Sequence, residues 1–115
     1  MSIRTEKVAS LIKEEIGTIL NNEFSGSQYG FITVTEVKMS PDLKIAKIYV
    51  TIFGDEIKEK ETFTELKNNK WKVRSSLAAH LKLKYVPEIQ FYIDETFKNV
   101  NRIESLIRSI NKNDA

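Results

Sequence analysis

The feature that most constrains this 115-residue chain is the position of its third strand-like segment. Two β-rich stretches, Phe31-Ile32-Thr33-Val34-Thr35-Glu36-Val37 and Ile45 to Phe53, are separated by a short polar turn. The next alternating stretch, Ile89-Gln90-Phe91-Tyr92-Ile93, comes only after a long helical run. In the second stretch Ala46, Ile48, Val50 and Ile52 alternate with Lys47, Tyr49, Thr51 and Phe53, the period of a strand with one face buried. Ser40-Pro41-Asp42 joins a pre-set proline φ to side chains that bond nearby backbone, which predicts a tight reversal and an antiparallel pair. A third strand that returns through helices needs a crossover, and this places helices on one face of a mixed three-stranded sheet. The expected fold is a two-layer α+β sandwich.

The helices follow from a different period. Val8, Leu11, Ile12, Ile16, Ile19 and Leu20 recur at three- and four-residue spacing between Arg4 and Asn21, one face of a first helix. A loop from Asn22 to Tyr29 follows, and a charged loop is expected from Gly54 to Glu61. Phe63, Leu66, Val73, Leu77 and Leu81 then fall within about 80° of one another on a helical projection. Lys70 lies inside that stripe, so one continuous helix would bury an ammonium; a break near Asn69 turns it outward and gives two helices. Pro87 ends the helical region. A last helix is expected after the third strand, with Val100, Ile103, Leu106, Ile107 and Ile110 on its apolar face and Thr96 or Asn99 as N-cap. The order is α-β-β-α-α-β-α. It is one domain over residues 1–115, with 111–115 as a loose end.

Several chemistries are excluded by what the chain lacks. There is no cysteine, hence no disulfide or thiolate. His80 is the only histidine and has no partner at metal-ligand spacing, so a structural or solvated role is expected and no metal. The acid pairs Asp55-Glu56 and Asp94-Glu95 have no base or nucleophile at motif spacing and read as solubilising loop charges. No P-loop, dinucleotide fingerprint or nucleophile elbow occurs, so neither an enzyme, a cofactor nor a small-molecule substrate is expected. Apolar runs are too short to cross a bilayer and the N-terminus lacks a secretory pattern, which makes the cytoplasm the expected location.

Charge is unevenly placed. Lys67, Lys70, Lys72, Arg74, Lys82 and Lys84 fall between Lys67 and Pro87 with no acid among them. Because the whole chain carries a formal charge of +2, the remainder is left at −4. A positive region on a mildly acidic body suits an anionic partner, phosphate backbone above all.

The residues inside this frame are similar to those of the ribosome-binding factor A family. The similarity rests on Arg4-x-x-x-Val8-Ala9, on Thr33-Val34-Thr35-x-Val37 leading to Ser40-x-Asp42-Leu43, and on Ala46-Lys47-x-Tyr49-Val50. It continues through Arg74-Ser75-x-Leu77, Val86-Pro87-Glu88-Ile89-x-Phe91 with Asp94, and Arg102-Ile103 before Leu106-Ile107. The resemblance implies a type II K-homology-like fold. It implies a non-enzymatic bacterial factor that binds the small (30S) ribosomal subunit, assists late maturation of 16S rRNA, notably in the cold, and leaves before translation. The partners it implies are the small subunit and its 16S rRNA, with no membrane and a monomer off the ribosome. At the interhelical kink, where the family usually has Ala-x-Gly, this chain has Asn69, Lys70 and Trp71; Asn68 or Asn69 is expected to take the glycine's role. A Gly-x-x-Gly loop, with which ordinary K-homology domains clamp single strands, is also missing.

The basic face of Lys67, Lys70, Lys72, Arg74, Lys82 and Lys84 is therefore the expected RNA contact, with Lys72, Ser75, Ala79 and Lys82 on one exposed side of the second central helix. Arg74, at the edge of the apolar stripe, fits either phosphate or a structural bond to the sheet edge or a helix end. Arg4, Lys7, Lys13, Arg102 and Arg108 are further candidates, although acids on the same helices favour solvated ion pairing there. Trp71 and Tyr85 bracket the basic segment; core packing is the preferred reading over stacking on bases. Tyr49 and Phe53 occupy the outer sheet face and need cover, for which the last helix is a candidate. Two rival readings remain: a general single-stranded RNA or DNA binder, and a protein-interaction module using Tyr49, Phe53 and the sheet edge.

Overall fold

The computed structural model describes residues 3–24, 26, 29–83 and 85–96. The elements are α1 (Ile3–Glu23), β1 (Phe31–Met39), β2 (Ile45–Phe53), α2 (Glu56–Asn68), α3 (Lys70–His80) and β3 (Glu88–Ile93). The expected final helix, with Arg102 and Arg108, lies outside the described residues, as does Lys84.

The sheet has the order β1-β2-β3, with β1 and β2 antiparallel and β2 and β3 parallel. The reversal between β1 and β2 is built as its residues require. Ser40 Oγ accepts from Lys44 N at 3.2 Å and Ile45 N at 3.0 Å while its hydroxyl donates to Asp42 Oδ1 at 2.6 Å. That bond and the Lys44 N–H hold the Asp42 carboxyl below its ordinary value. Leu43 closes the turn with a left-handed φ of 61°. A bulge between Val34 and Glu36 inserts Thr35 into β1. At both ends β3 is tied to β2, by Glu88 N to Lys44 O and by Asp94 N to Val50 O, each at 2.8 Å.

The three described helices, α1, α2 and α3, lie on one sheet face, as the crossover between β2 and β3 demands of the last two. Ala46, Ile48, Val50 and Ile52 are buried there with Ile32, Val37, Met39, Ile89 and Phe91, against Ile12, Ile16, Ile19, Leu20, Leu66, Val73 and Leu77. Phe63 and Leu81 are partly buried at the margin of the same core. Leu11 departs from expectation: it is 51% exposed, and Thr5, Val8, Ile12, Ile16 and Ile19 form the true inward stripe. On a helical projection Leu11 lies about 120° from the mean direction of the buried residues Thr5, Ile12, Ile16, Ile19 and Leu20, and Leu20 only about 60°, so Leu11 falls outside the stripe and Leu20 at its edge.

The loop expected from Gly54 to Glu61 is mostly helix. Asp55 is the N-cap of α2, its Oδ1 accepting from Lys58 N at 2.7 Å, so it is no mere solubilising charge. Asp94 is likewise structural: its Oδ2 accepts from the Thr35 hydroxyl at 2.6 Å and its Oδ1 from Thr96 N at 3.0 Å.

The helix break falls at Asn69 as the buried-lysine argument requires, and Lys70 is exposed. Asn69 has φ −111° and ψ 18°, which is not a left-handed glycine conformation. It works as a C-cap instead: both its backbone N–H, at 3.0 Å, and its side-chain amide, at 2.8 Å, donate to Glu65 O. A residue that caps one carbonyl of the last turn of α2 twice over stands at the break, in place of a glycine that would have bent the backbone.

Candidate nucleic-acid interface

α3 carries the basic segment because Val73 and Leu77 fix its inward side. With those two fully buried, Lys72, Ser75 and Ala79 must face solvent, and they do. Lys67, Lys70 and Lys72 gather at the α2–α3 junction, and Lys82 follows the other end of α3, roughly 16 Å away by an 11-residue helix at about 1.5 Å per residue. α3 has no acid in its first turn and no side-chain cap at Asn69, so its positive N-terminal end adds to the junction lysines.

The lysines are held lightly. Lys67 Nζ lies 5.1 Å from the Phe63 ring centroid and Lys72 Nζ 5.6 Å from that of Trp71. Among the described residues, none of Lys67, Lys70, Lys72 and Lys82 has an ion pair. The Glu65 carboxylate at the junction is engaged by the Asn69 side chain at 3.2 Å; cations that are not ion-paired keep their field available to an incoming phosphate.

Arg74 is different. Its Nε donates to Pro87 O at 3.3 Å and its Nη2 to Val86 O at 3.1 Å, so the guanidinium fastens α3 to the connector before β3. Beside it a cleft of about 1150 Å³ opens between the start of α1, the β1–β2 turn and the connector, lined by the cations Arg4, Lys44, Arg74 and Lys82 and by the acids Asp42 and Glu88 among others, a net positive but mixed surface. Of the further candidates, Arg4 therefore joins the basic region, whereas Lys7 and Lys13 are exposed on α1 outside that cleft.

Trp71 and Tyr85 are not core residues. They are 62% and 74% exposed, and both line a groove with Arg74, Ser75, Ala78 and Val86. The helical projection carries the signal for this: Trp71 lies about 200° from Val73, on the side away from the sheet. His80 is exposed too; its Nδ1 sits 2.7 Å from Ser76 O and 3.8 Å from Glu15 Oε1. No group of three or more metal-binding side chains occurs among the described residues, and among them no helix is long and apolar enough to cross a membrane.

Thr62 escaped the sequence reading. Fully buried on α2, it accepts from Gly30 N at 2.9 Å. Its partner is 32 residues away, so no local pattern announces it.

Residues 4–107 match the family described as Ribosome-binding factor A. The chain belongs to the ribosome-binding factor A family. Relatives named ribosome-binding factor A include one from Macrococcus caseolyticus, 37% identical over 97% of this chain and 98% of its own length. Another, from Chlorobium phaeobacteroides, is 40% identical over 97% of each chain. The crystal structure of ribosome-binding factor A from Thermus thermophilus shares the fold, with a TM-score of 0.67 at 17% identity, covering 77% of this chain and 94% of that one. A Thermus thermophilus ribosome-binding factor A homology model fitted into a cryo-electron-microscopy map of a 30S complex gives a TM-score of 0.63 at 18% identity, covering 75% and 90%. Membership of the ribosome-binding factor A family makes this chain a non-catalytic assembly factor.

Proposed function

We propose that this chain binds the 30S ribosomal subunit through its 16S rRNA, assists the late maturation of that RNA with its greatest effect in the cold, and leaves before translation. Off the ribosome it is a cytoplasmic monomer. The Thermus thermophilus protein fitted into the 30S complex supports the choice of subunit. The observation that carries the proposal is the set of exposed lysines, Lys67, Lys70, Lys72 and Lys82, on the α2–α3 side with no ion pair among the described residues. Arg4 and Arg74 extend it, and Lys84 belongs to it by sequence. With no Gly-x-x-Gly loop to bring backbone against phosphate, affinity comes from side-chain cations meeting folded RNA.

The test is pelleting of purified protein with 30S subunits. The double variant Lys72→Glu, Lys82→Glu should fold normally and lose at least tenfold in affinity, because about two phosphate contacts become repulsions. Unchanged pelleting of the folded variant would move the interface elsewhere.

The protein-interaction reading has an observation of its own. Phe53 is 83% exposed and pairs with exposed Phe31 on the outer sheet face, where Tyr49 stacks on Tyr92 with ring centroids 5.5 Å apart. An apolar face of that kind suits a protein partner. Binding through it would be insensitive to salt and to the lysine reversals, and would fall on Phe53→Ser.

A further inference from the structure

We propose that the groove between α3 and the connector before β3, walled by Trp71 and Tyr85, is a stacking subsite for one unpaired RNA base. The inference rests on the RNA-binding reading and adds to it a place where base, rather than phosphate, is held.

The groove is built on a helical face. Trp71, Arg74, Ser75 and Ala78 stand at i, i+3, i+4 and i+7 on α3, so they form one outward stripe. Ser75 and Ala78 contribute small side chains beside Trp71, and the connector supplies Tyr85 and Val86 to the same groove. The volume is about 430 Å³, within the range of about 300–1,000 Å³ common to small-ligand clefts. Two large aromatics 62% and 74% exposed leave apolar surface in water that burial would have removed.

The walls are held in register. Arg74, itself in the groove, bonds both Val86 O and Pro87 O, and so fixes the strand of chain that carries Tyr85 against the helix that carries Trp71. The backbone on both sides of the groove is thus held before a base enters, which lowers the ordering entropy that binding must lose.

Charge selects the occupant. Lys72 lies over the Trp71 ring and exposed Lys82 precedes Tyr85 by three residues, so a base in the groove has cations near its own phosphates. An apolar peptide would have no use for the lysines, and a phosphate alone none for the rings. Aromatic faces flanked by cations suit a nucleotide with its base unstacked.

Trp71 is the only tryptophan in the chain, so its fluorescence reports the subsite directly. The probes are an RNA hairpin with one bulged adenosine and the same stem fully paired, each end-labelled for anisotropy. The bulged hairpin should quench Trp71 emission and bind about tenfold more tightly than the paired stem. Trp71→Ala should abolish that preference without changing the melting temperature or paired-stem affinity, and Trp71→Phe should keep most of it. The double lysine reversal should weaken both RNAs, the bulged hairpin at least as much as the paired stem. Equal binding of both hairpins without quenching overturns the subsite and leaves the RNA-binding reading standing. Binding of neither RNA removes that reading and the subsite with it.

Discussion

The Arg74 guanidinium donates to Pro87 O at 3.3 Å through Nε and, through Nη2, to Val86 O at 3.1 Å. Pro87 is fully buried and immediately precedes β3, so one arginine on α3 fixes where the last strand of the sheet begins. The planar fork is what allows two successive carbonyls to be held at once. Arg74→Lys keeps the charge and loses the two-point geometry. Both Arg74→Lys and Arg74→Ala should therefore lower stability in urea denaturation, by about 1–2 kcal/mol for alanine. Full stability of Arg74→Lys would show that charge, not the clamp, is what this position contributes.

A second long-range tie joins α2 to the residue before β1. Gly30 N donates to the buried Thr62 hydroxyl at 2.9 Å, and a Cβ on Gly30 would stand 2.7 Å from Phe53 O and 2.6 Å from Ile52 Cγ2. Thr62→Val keeps the shape but strands a buried N–H, at a cost of about 1–3 kcal/mol. Gly30→Ala forces its Cβ against backbone that cannot step aside, costing about 1–3 kcal/mol by overpacking. Thermal unfolding measures both, and Thr62→Ser should recover much of the loss. A Thr62→Val protein as stable as the parent would mean that water satisfies Gly30.

The Thr35 hydroxyl holds the Asp94 carboxyl below its ordinary value of 3.8, with the Thr96 N–H adding to the effect. A carboxyl whose value is lowered by folding stabilises the native state fully above its unfolded value, and that contribution fades as pH falls through the lower folded one. The stability gap between the parent and Thr35→Val should therefore be constant near neutrality and shrink once pH drops below 3.8. A gap that holds its neutral value throughout that acid range would assign the threonine's effect to packing in the β1 bulge.

How much of this was legible depended on the range of the interaction concerned. The alternation from Ala46 to Phe53 gave β2 its ends and its faces, because a period of two leaves little choice once one face is buried. Lys70 located the helix break, since an ammonium inside an apolar stripe has a cost that the chain avoids. Asp55 was misread for want of a companion: three residues on stands Lys58, not the glutamate of a capping box, so the charge looked like loop. Trp71 was misread because its size argued for burial while its phase relative to Val73 argued against, and phase prevailed. Arg74, at the edge of the apolar stripe, offered a structural bond as one of two readings, whereas Thr35 with Asp94 and Gly30 with Thr62 join residues 59 and 32 apart, distances over which local pattern carries no information.

Co-sedimentation of the purified protein with isolated small and large ribosomal subunits, at low and moderate salt, tests the central claim most directly. The account predicts binding to the small subunit alone, weakening steeply as salt rises because the interface is built on phosphate contacts. Equal binding to both subunits, or binding to the small subunit that salt leaves untouched, would contradict it.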